Sequence, residues 1–93
     1  MIEIKIIYKL QPEMNHKFME RVESLGIPQA TRSEKGCLKY DFEISADKDE
    51  VYLHELWENE ECLESHKTQP HLKKLLALKD EFHIETVADV KNI

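Results

Sequence analysis

The hydrophobic period of this chain switches between two residues and about 3.6 several times along its length, which confines it to a mixed α and β fold. From Ile2 to Leu10 the apolar residues Ile2, Ile4, Ile6, Tyr8 and Leu10 alternate with Glu3, Lys5 and Lys9. That is the signature of a strand with one buried face. Gln11-Pro12 ends the run. Beyond it Met14, Phe18, Val22 and Leu25 recur at spacings of four, four and three, which places them on one side of a helix. Gly26-Ile27-Pro28 should interrupt this helix, because Pro28 has no N–H to donate and glycine is a poor helix former. A shorter helical piece is expected through Ala30 and Arg32.

Ser33-Glu34-Lys35-Gly36 reads as a helix stop with a turn glycine. Alternation then returns, with Leu38, Tyr40, Phe42 and Ile44 against Lys39, Asp41 and Glu43. The polar stretch Ala46–Glu50 is short enough for a hairpin loop and leads into a third strand, Val51 to Trp57. Val51, Leu53, Glu55 and Trp57 share one face of it; Tyr52, His54 and Leu56 share the other. Both faces are partly apolar, so the strand should be central or covered on both sides. Asn59 is a good N-cap, with Glu60 and Glu61 in the first turn where the helix dipole favours anions. This helix should end near His66. Thr68 or Gln69 can cap a further helix with Pro70 in its first turn and Leu72, Leu75 and Leu76 on its inner side. A last strand is expected from Phe82 to Val90.

The resulting order, βαββααβ, predicts an α+β, ferredoxin-like fold: an antiparallel sheet backed by helices, in one domain spanning residues 1–93. Helices can cover only one face of such a sheet. A partly apolar second face needs another cover, and a second copy of the chain would supply it through an isologous contact. The expected assembly is a homodimer.

Acids outnumber bases 19 to 13, for a net charge of −6, and the lysines are scattered. Nucleic acids and anionic membranes prefer basic faces, so neither is expected as a partner. No apolar run approaches the roughly 20 residues of a membrane span. The strand-like start, Met1-Ile2-Glu3-Ile4-Lys5, lacks the charged and apolar regions of a signal peptide. Cys37 and Cys62 show no CxxC spacing and read as small apolar fillers in a reducing compartment. The expected localisation is cytoplasmic.

Candidate chemistry concentrates between Leu53 and Leu72, which holds the only tryptophan and three of the five histidines. His66 and His71 are five residues apart and would point about 140° from each other on one continuous helix. The Thr68-Gln69-Pro70 break removes that constraint and lets both rings reach one cavity. A neutral imidazole there can accept a proton. The competing reading makes both histidines surface or helix-end residues. Trp57 suits either a pocket wall for a flat ligand or plain core packing. Glu55 sits on an otherwise apolar strand face, where an unpaired carboxylate is costly. It therefore calls for a partner such as Arg32, a histidine or a second subunit. His54, between Tyr52 and Leu56, is expected at an interface or in the core with its hydrogen bond satisfied. A metal triad of His66 and His71 with Glu55 or Glu64 is only weakly signalled, since neither HExxH nor CxxC is present, and no metal is expected. The two glycines lie ten positions apart, so there is no Gly-rich phosphate loop, and no GxSxG elbow occurs.

Three segments, Arg32-Ser33-Glu34-Lys35-Gly36-Cys37-Leu38-Lys39-Tyr40, Glu55-Leu56-Trp57-Glu58-Asn59-Glu60-Glu61 and His66-Lys67-Thr68-Gln69-Pro70-His71, resemble the antibiotic biosynthesis monooxygenase domain. The likeness extends over nearly the whole chain. It implies a dimeric α+β barrel built from two ferredoxin-like subunits, with a pocket between sheet and helices in each. It also implies a monooxygenase that oxidises a small aromatic or quinol-type substrate with oxygen and without metal or flavin, so that no cofactor is needed. On that reading His66 or His71 is the base, Trp57 and Tyr40 shape the cavity and Glu55 orients a polar group. Haem-degrading relatives use an asparagine late in the first strand and a histidine on the last helix. The comparable strand positions here hold Tyr8 and Lys9, and Leu72 to Lys79 contains no histidine, which disfavours that activity. Isomerases of sugar-derived signals carry a segment similar to His66–His71 and would use the same base. A ligand-binding dimer without turnover is the third reading.

Overall fold

The computed structural model describes all 93 residues, Met1–Ile93. β1 (Ile2–Lys9) turns Ile2, Ile4 and Tyr8 inward, as its alternation predicts. α1 (Asn15–Ser24) buries Phe18, Met19 and Val22. Gly26, at φ 69°, turns the chain into α2 (Ile27–Arg32), which carries Pro28 in its first turn. The expected interruption is therefore present, and it separates two helices. β2 (Cys37–Ile44) and β3 (Glu50–Trp57) form the hairpin. α3 (Glu60–His66) is capped by Asn59, whose side chain accepts a hydrogen bond from the Cys62 N–H at 2.9 Å. α4 (Pro70–Glu81) and β4 (Glu85–Asn92) complete the chain.

The four strands form one antiparallel sheet in the order β2-β3-β1-β4, the ferredoxin-like α+β arrangement. Register pairs Tyr8 with Val51 and Ile2 with Trp57, so the inward residues of the two central strands lie side by side. Helices cover this face. Phe18, Val22, Ile27, Val51 and Leu53 are at most 2% exposed there, and each such side chain contributes roughly 1.5–3 kcal/mol of burial.

Three expectations need correction. α4 continues through Glu81, and the last strand begins at Glu85 rather than Phe82. Phe82 instead packs edge-on against Phe18, with centroids 5.6 Å apart, and His83, at φ 52°, makes the turn. Leu76 is 49% exposed, and the inner side of α4 belongs to Leu75 and Leu78, one helical turn apart. In β2 an irregularity between Cys37 and Lys39 throws Leu38 outward, so only Tyr40, Phe42 and Ile44 keep to the helix side. β3 is central, as expected, but the face carrying Tyr52, His54 and Leu56 is only half-buried. A concavity of about 610 Å³ on that side is lined by strand residues alone. His54 Nε2 meets Glu3 Oε2 there at 2.9 Å, so its polar group is satisfied.

Candidate active site

Glu34 is the centre of the site. It lies two residues beyond α2, where its N–H donates to the Thr31 carbonyl. A tight turn then returns the Cys37 N–H to the Glu34 carbonyl. Gly36 makes this turn at φ 80° and lies against Cys62, so that a Cβ in its place would run into the Cys62 side chain. Its carbonyl accepts from the Glu58 N–H at 2.8 Å, which ties the turn to the end of β3.

Opposite this turn, α3 ends at His66 and α4 begins at Pro70, so the break between them places His66 at one helix end and His71 in the first turn of the next. Both rings then converge on a single oxygen. His66 Nδ1 lies 2.6 Å and His71 Nε2 2.7 Å from Glu34 Oε2. A carboxylate only accepts hydrogen bonds, so each of these nitrogens carries the proton it shares. This leaves His66 Nε2 as the accepting nitrogen of the neutral ring. The His66 ring lies 4.7 Å from the Trp57 ring, tilted by 34°, and meets the Tyr40 ring edge-on at 6.0 Å.

His66 Nε2 makes no hydrogen bond within the chain. It is not sealed in, because Asn15 Oδ1 is the one buried side-chain polar atom left without a partner. The His66 ring lines a cavity of about 200 Å³ between sheet and helices, walled by Ile4, Ile6, Leu63, Leu72 and Leu75 and reached by the polar residues Tyr8, Glu55, Lys67 and Lys79. A larger concavity, about 620 Å³, lies beside the Glu34 turn; His71 lines it and His66 does not.

Glu55 is buried on the cavity wall and accepts a hydrogen bond from Trp57 Nε1–H at 2.9 Å. The indole is thus the partner that the sequence left open. Arg32 is engaged elsewhere, donating to the Tyr40 carbonyl at 3.0 Å. Burial raises the Glu55 carboxyl above its ordinary range, and the Trp57 hydrogen bond and the nearby His66 oppose that only in part. Tyr8 and Tyr40 are likewise held as neutral phenols by burial.

Of the residues singled out from sequence, the structure brings His66, His71, Trp57, Tyr40 and Glu55 into one contiguous cluster. Only His66 and Glu55 face the cavity; Trp57 and Tyr40 support the His66 ring from behind. The missed residue is Glu34. Its signal lay within the helix-stop turn, three residues before Cys37, but its partners are 32 and 37 residues away. His71 stands on α4, whose start at Pro70 corrects the assignment of a last helix without histidine, although its Nε2 faces Glu34 rather than the cavity.

The ligand atoms of Glu34, His66 and His71 lie within 4.8 Å of one another. Two ligands about 2.1 Å from one tetrahedral ion stand roughly 3.4 Å apart. The distances of 2.6 and 2.7 Å from Glu34 are those of shared protons.

A family model for antibiotic biosynthesis monooxygenase matches residues 1–78. The chain belongs to that family. No curated protein matches it. Among solved structures it is similar to a conserved protein from Methanosarcina mazei, at 25% identity and a TM-score of 0.82, covering 98% of this chain and 90% of that one. A Bacteroides thetaiotaomicron protein of unknown function, described as a possible oxidoreductase, aligns at 24% identity and a TM-score of 0.83, covering 99% and 96%. A structure described as an antibiotic biosynthesis monooxygenase aligns at 19% identity and a TM-score of 0.84, covering 100% and 98%. At such identities the last two show a shared fold. No helix of the chain is long and apolar enough to cross a membrane.

Proposed function

We propose that the protein is a cofactor-independent monooxygenase of a small aromatic or quinol-type substrate, with His66 as its base. The observation that carries this reading is the single Glu34 oxygen that holds His66 Nδ1–H at 2.6 Å while the same ring lines the cavity. Glu34 fixes the tautomer and orientation of the ring and stabilises the imidazolium formed when Nε2 takes a proton. His71 donates to the same oxygen and keeps Glu34 in place. It is the second histidine of the pair, and the geometry supports it as a positioning residue.

The chemistry suits an apolar chamber. His66 Nε2 removes the hydroxyl proton of a phenol, and the electron-rich phenolate carries the negative charge to a ring carbon. That carbon forms a bond to oxygen, which is reduced to a peroxide, and His66 returns the proton to the outer oxygen atom. Cleavage of the O–O bond with loss of the ring C–H releases water and leaves a carbonyl. The balance is one phenol and one O₂ giving one quinone and one H₂O. Leu63, Leu72 and Leu75 give the intermediate an apolar wall on the helix side. Glu55, held towards its protonated form, can donate to a substrate oxygen while Trp57 fixes its other side.

Oxygen consumption with a panel of monocyclic and bicyclic quinols and phenols tests the reading. Uptake in the wild type that is lost in His66→Ala supports it, provided the variant melts as the parent does. The isomerase reading uses the same base but needs no oxygen, so turnover under strict anaerobiosis would favour it. Thermal stabilisation by a ligand that is never converted would favour a binder.

A further inference from the structure

We propose that the cavity takes a substrate bearing one anionic group, carboxylate or phosphate, which Lys79 binds. The inference rests on the reading of this cavity as the working site. The chain has eleven lysines, and Lys79 is the only one of them that is not exposed. It projects from the inner side of α4 into the cavity wall, with Nζ 5.6 Å from the centroid of the Tyr8 ring. The ring supplies a favourable face for a cation but no counter-charge.

Every ion pair made by a lysine or arginine of the chain involves other residues: Arg21, Arg32, Lys39, Lys67 and Lys91 supply the cations. This is notable in a chain with an excess of six acids. Carboxylates are plentiful, yet the one lysine drawn out of solvent has none within 4 Å. The other lysine at the cavity, Lys67, is exposed and paired with Glu64 at 2.9 Å. Glu55 is the only acid on the cavity wall, and its burial favours the neutral carboxyl. The cleft therefore presents one half-buried ammonium without a carboxylate partner, and an anionic ligand would complete it.

Size fits this class. A volume of about 200 Å³ has room for at least one ring with small substituents, and the open side of the cleft leaves space for more. The anionic group would sit against Lys79 and the reacting hydroxyl against His66 Nε2, with Glu55 beside it. Lys79 thus selects among ring substrates and fixes which end faces the base.

Isothermal titration calorimetry with benzoate, phenyl phosphate and the neutral isostere benzyl alcohol tests this. The proteins are the wild type, Lys79→Met, which keeps the apolar stem over Tyr8, and Lys79→Arg, which keeps the charge. At least one of the two anions should bind the wild type at least about tenfold more tightly than benzyl alcohol, and the tighter of the two names the source of the anion. Lys79→Met should lose that preference and Lys79→Arg should retain it. If Lys79→Met holds the anions as well as the wild type does, or benzyl alcohol binds the wild type equally well, the assignment of Lys79 is overturned while the cavity stands. If none of the three probes binds the wild type, the cavity itself is wrong as a site, and the role of His66 falls with it.

Discussion

Glu34 does at residue scale what a sequence scan could not show, because one oxygen serves two histidines that come from different helix ends. Replacing it by glutamine puts an amide donor beside the remaining acceptor, so the two N–H groups can no longer share one carboxylate. Turnover of Glu34→Gln should fall by roughly 10- to 100-fold with the fold intact, as steady-state kinetics alongside circular dichroism would show. Glu55 makes the opposite kind of prediction. Its carboxyl is raised by burial above its ordinary 4.5. The stability it contributes is therefore complete below that value and is lost as pH rises through the higher folded value. Glu55→Gln keeps an acceptor for Trp57 without the charge. Its melting temperature should exceed that of the wild type at pH 8, with the difference closing towards pH 4. A wild type that is equally or more stable at pH 8 would contradict the assignment. The five clustered residues His66, His71, Trp57, Tyr40 and Glu55 were readable from sequence because four of them lie within seventeen positions of one another. Glu34 was not, because a carboxylate in a turn looks solvated until its distant partners are in place.

At the scale of elements, two breaks build the site: the Thr68–Gln69 interruption between α3 and α4, and the Glu34–Cys37 turn after α2. Both were legible, one through Pro70 and the other through Gly36. What could not be read was their meeting, which the side-by-side register of β1 and β3 and the packing of α3 on the sheet enforce. Gly36 is the residue on which that meeting depends. Gly36→Ala combines a positive φ with a collision against Cys62 and should cost at least about 2 kcal/mol, visible as a lower denaturation midpoint. Activity should drop as well, because Glu34 is carried by the same turn. Errors of element length have equally local causes. Phe82 and Ile84 look like strand residues, but they are apolar because they anchor the end of α4 against the core. Leu38 fits the alternation of β2, yet the irregularity at Cys37/Lys39 turns it outward.

For the whole molecule, alternation of period and order of elements were enough to reach the α+β sheet with helices on one side. They were not enough to show what lies on the other. That face carries Ile7, Tyr52 and Leu56 among the charges of Glu3, Lys5, Asp41 and Glu43, which suits an isologous contact between two copies. Light scattering after size exclusion should give a dimer at micromolar concentration, and Leu56→Asp should shift it towards monomer; a monomeric wild type would contradict the shared-sheet arrangement. The central claim concerns the other face, where an apolar cavity meets a histidine held by a carboxylate. Its most direct test is oxygen consumption by wild type and His66→Ala on the first quinol or phenol found to be turned over, at matched melting temperature. The arrangement predicts a fall of about 10²- to 10⁴-fold in kcat for the variant; an unchanged rate would show that His66 is not the base.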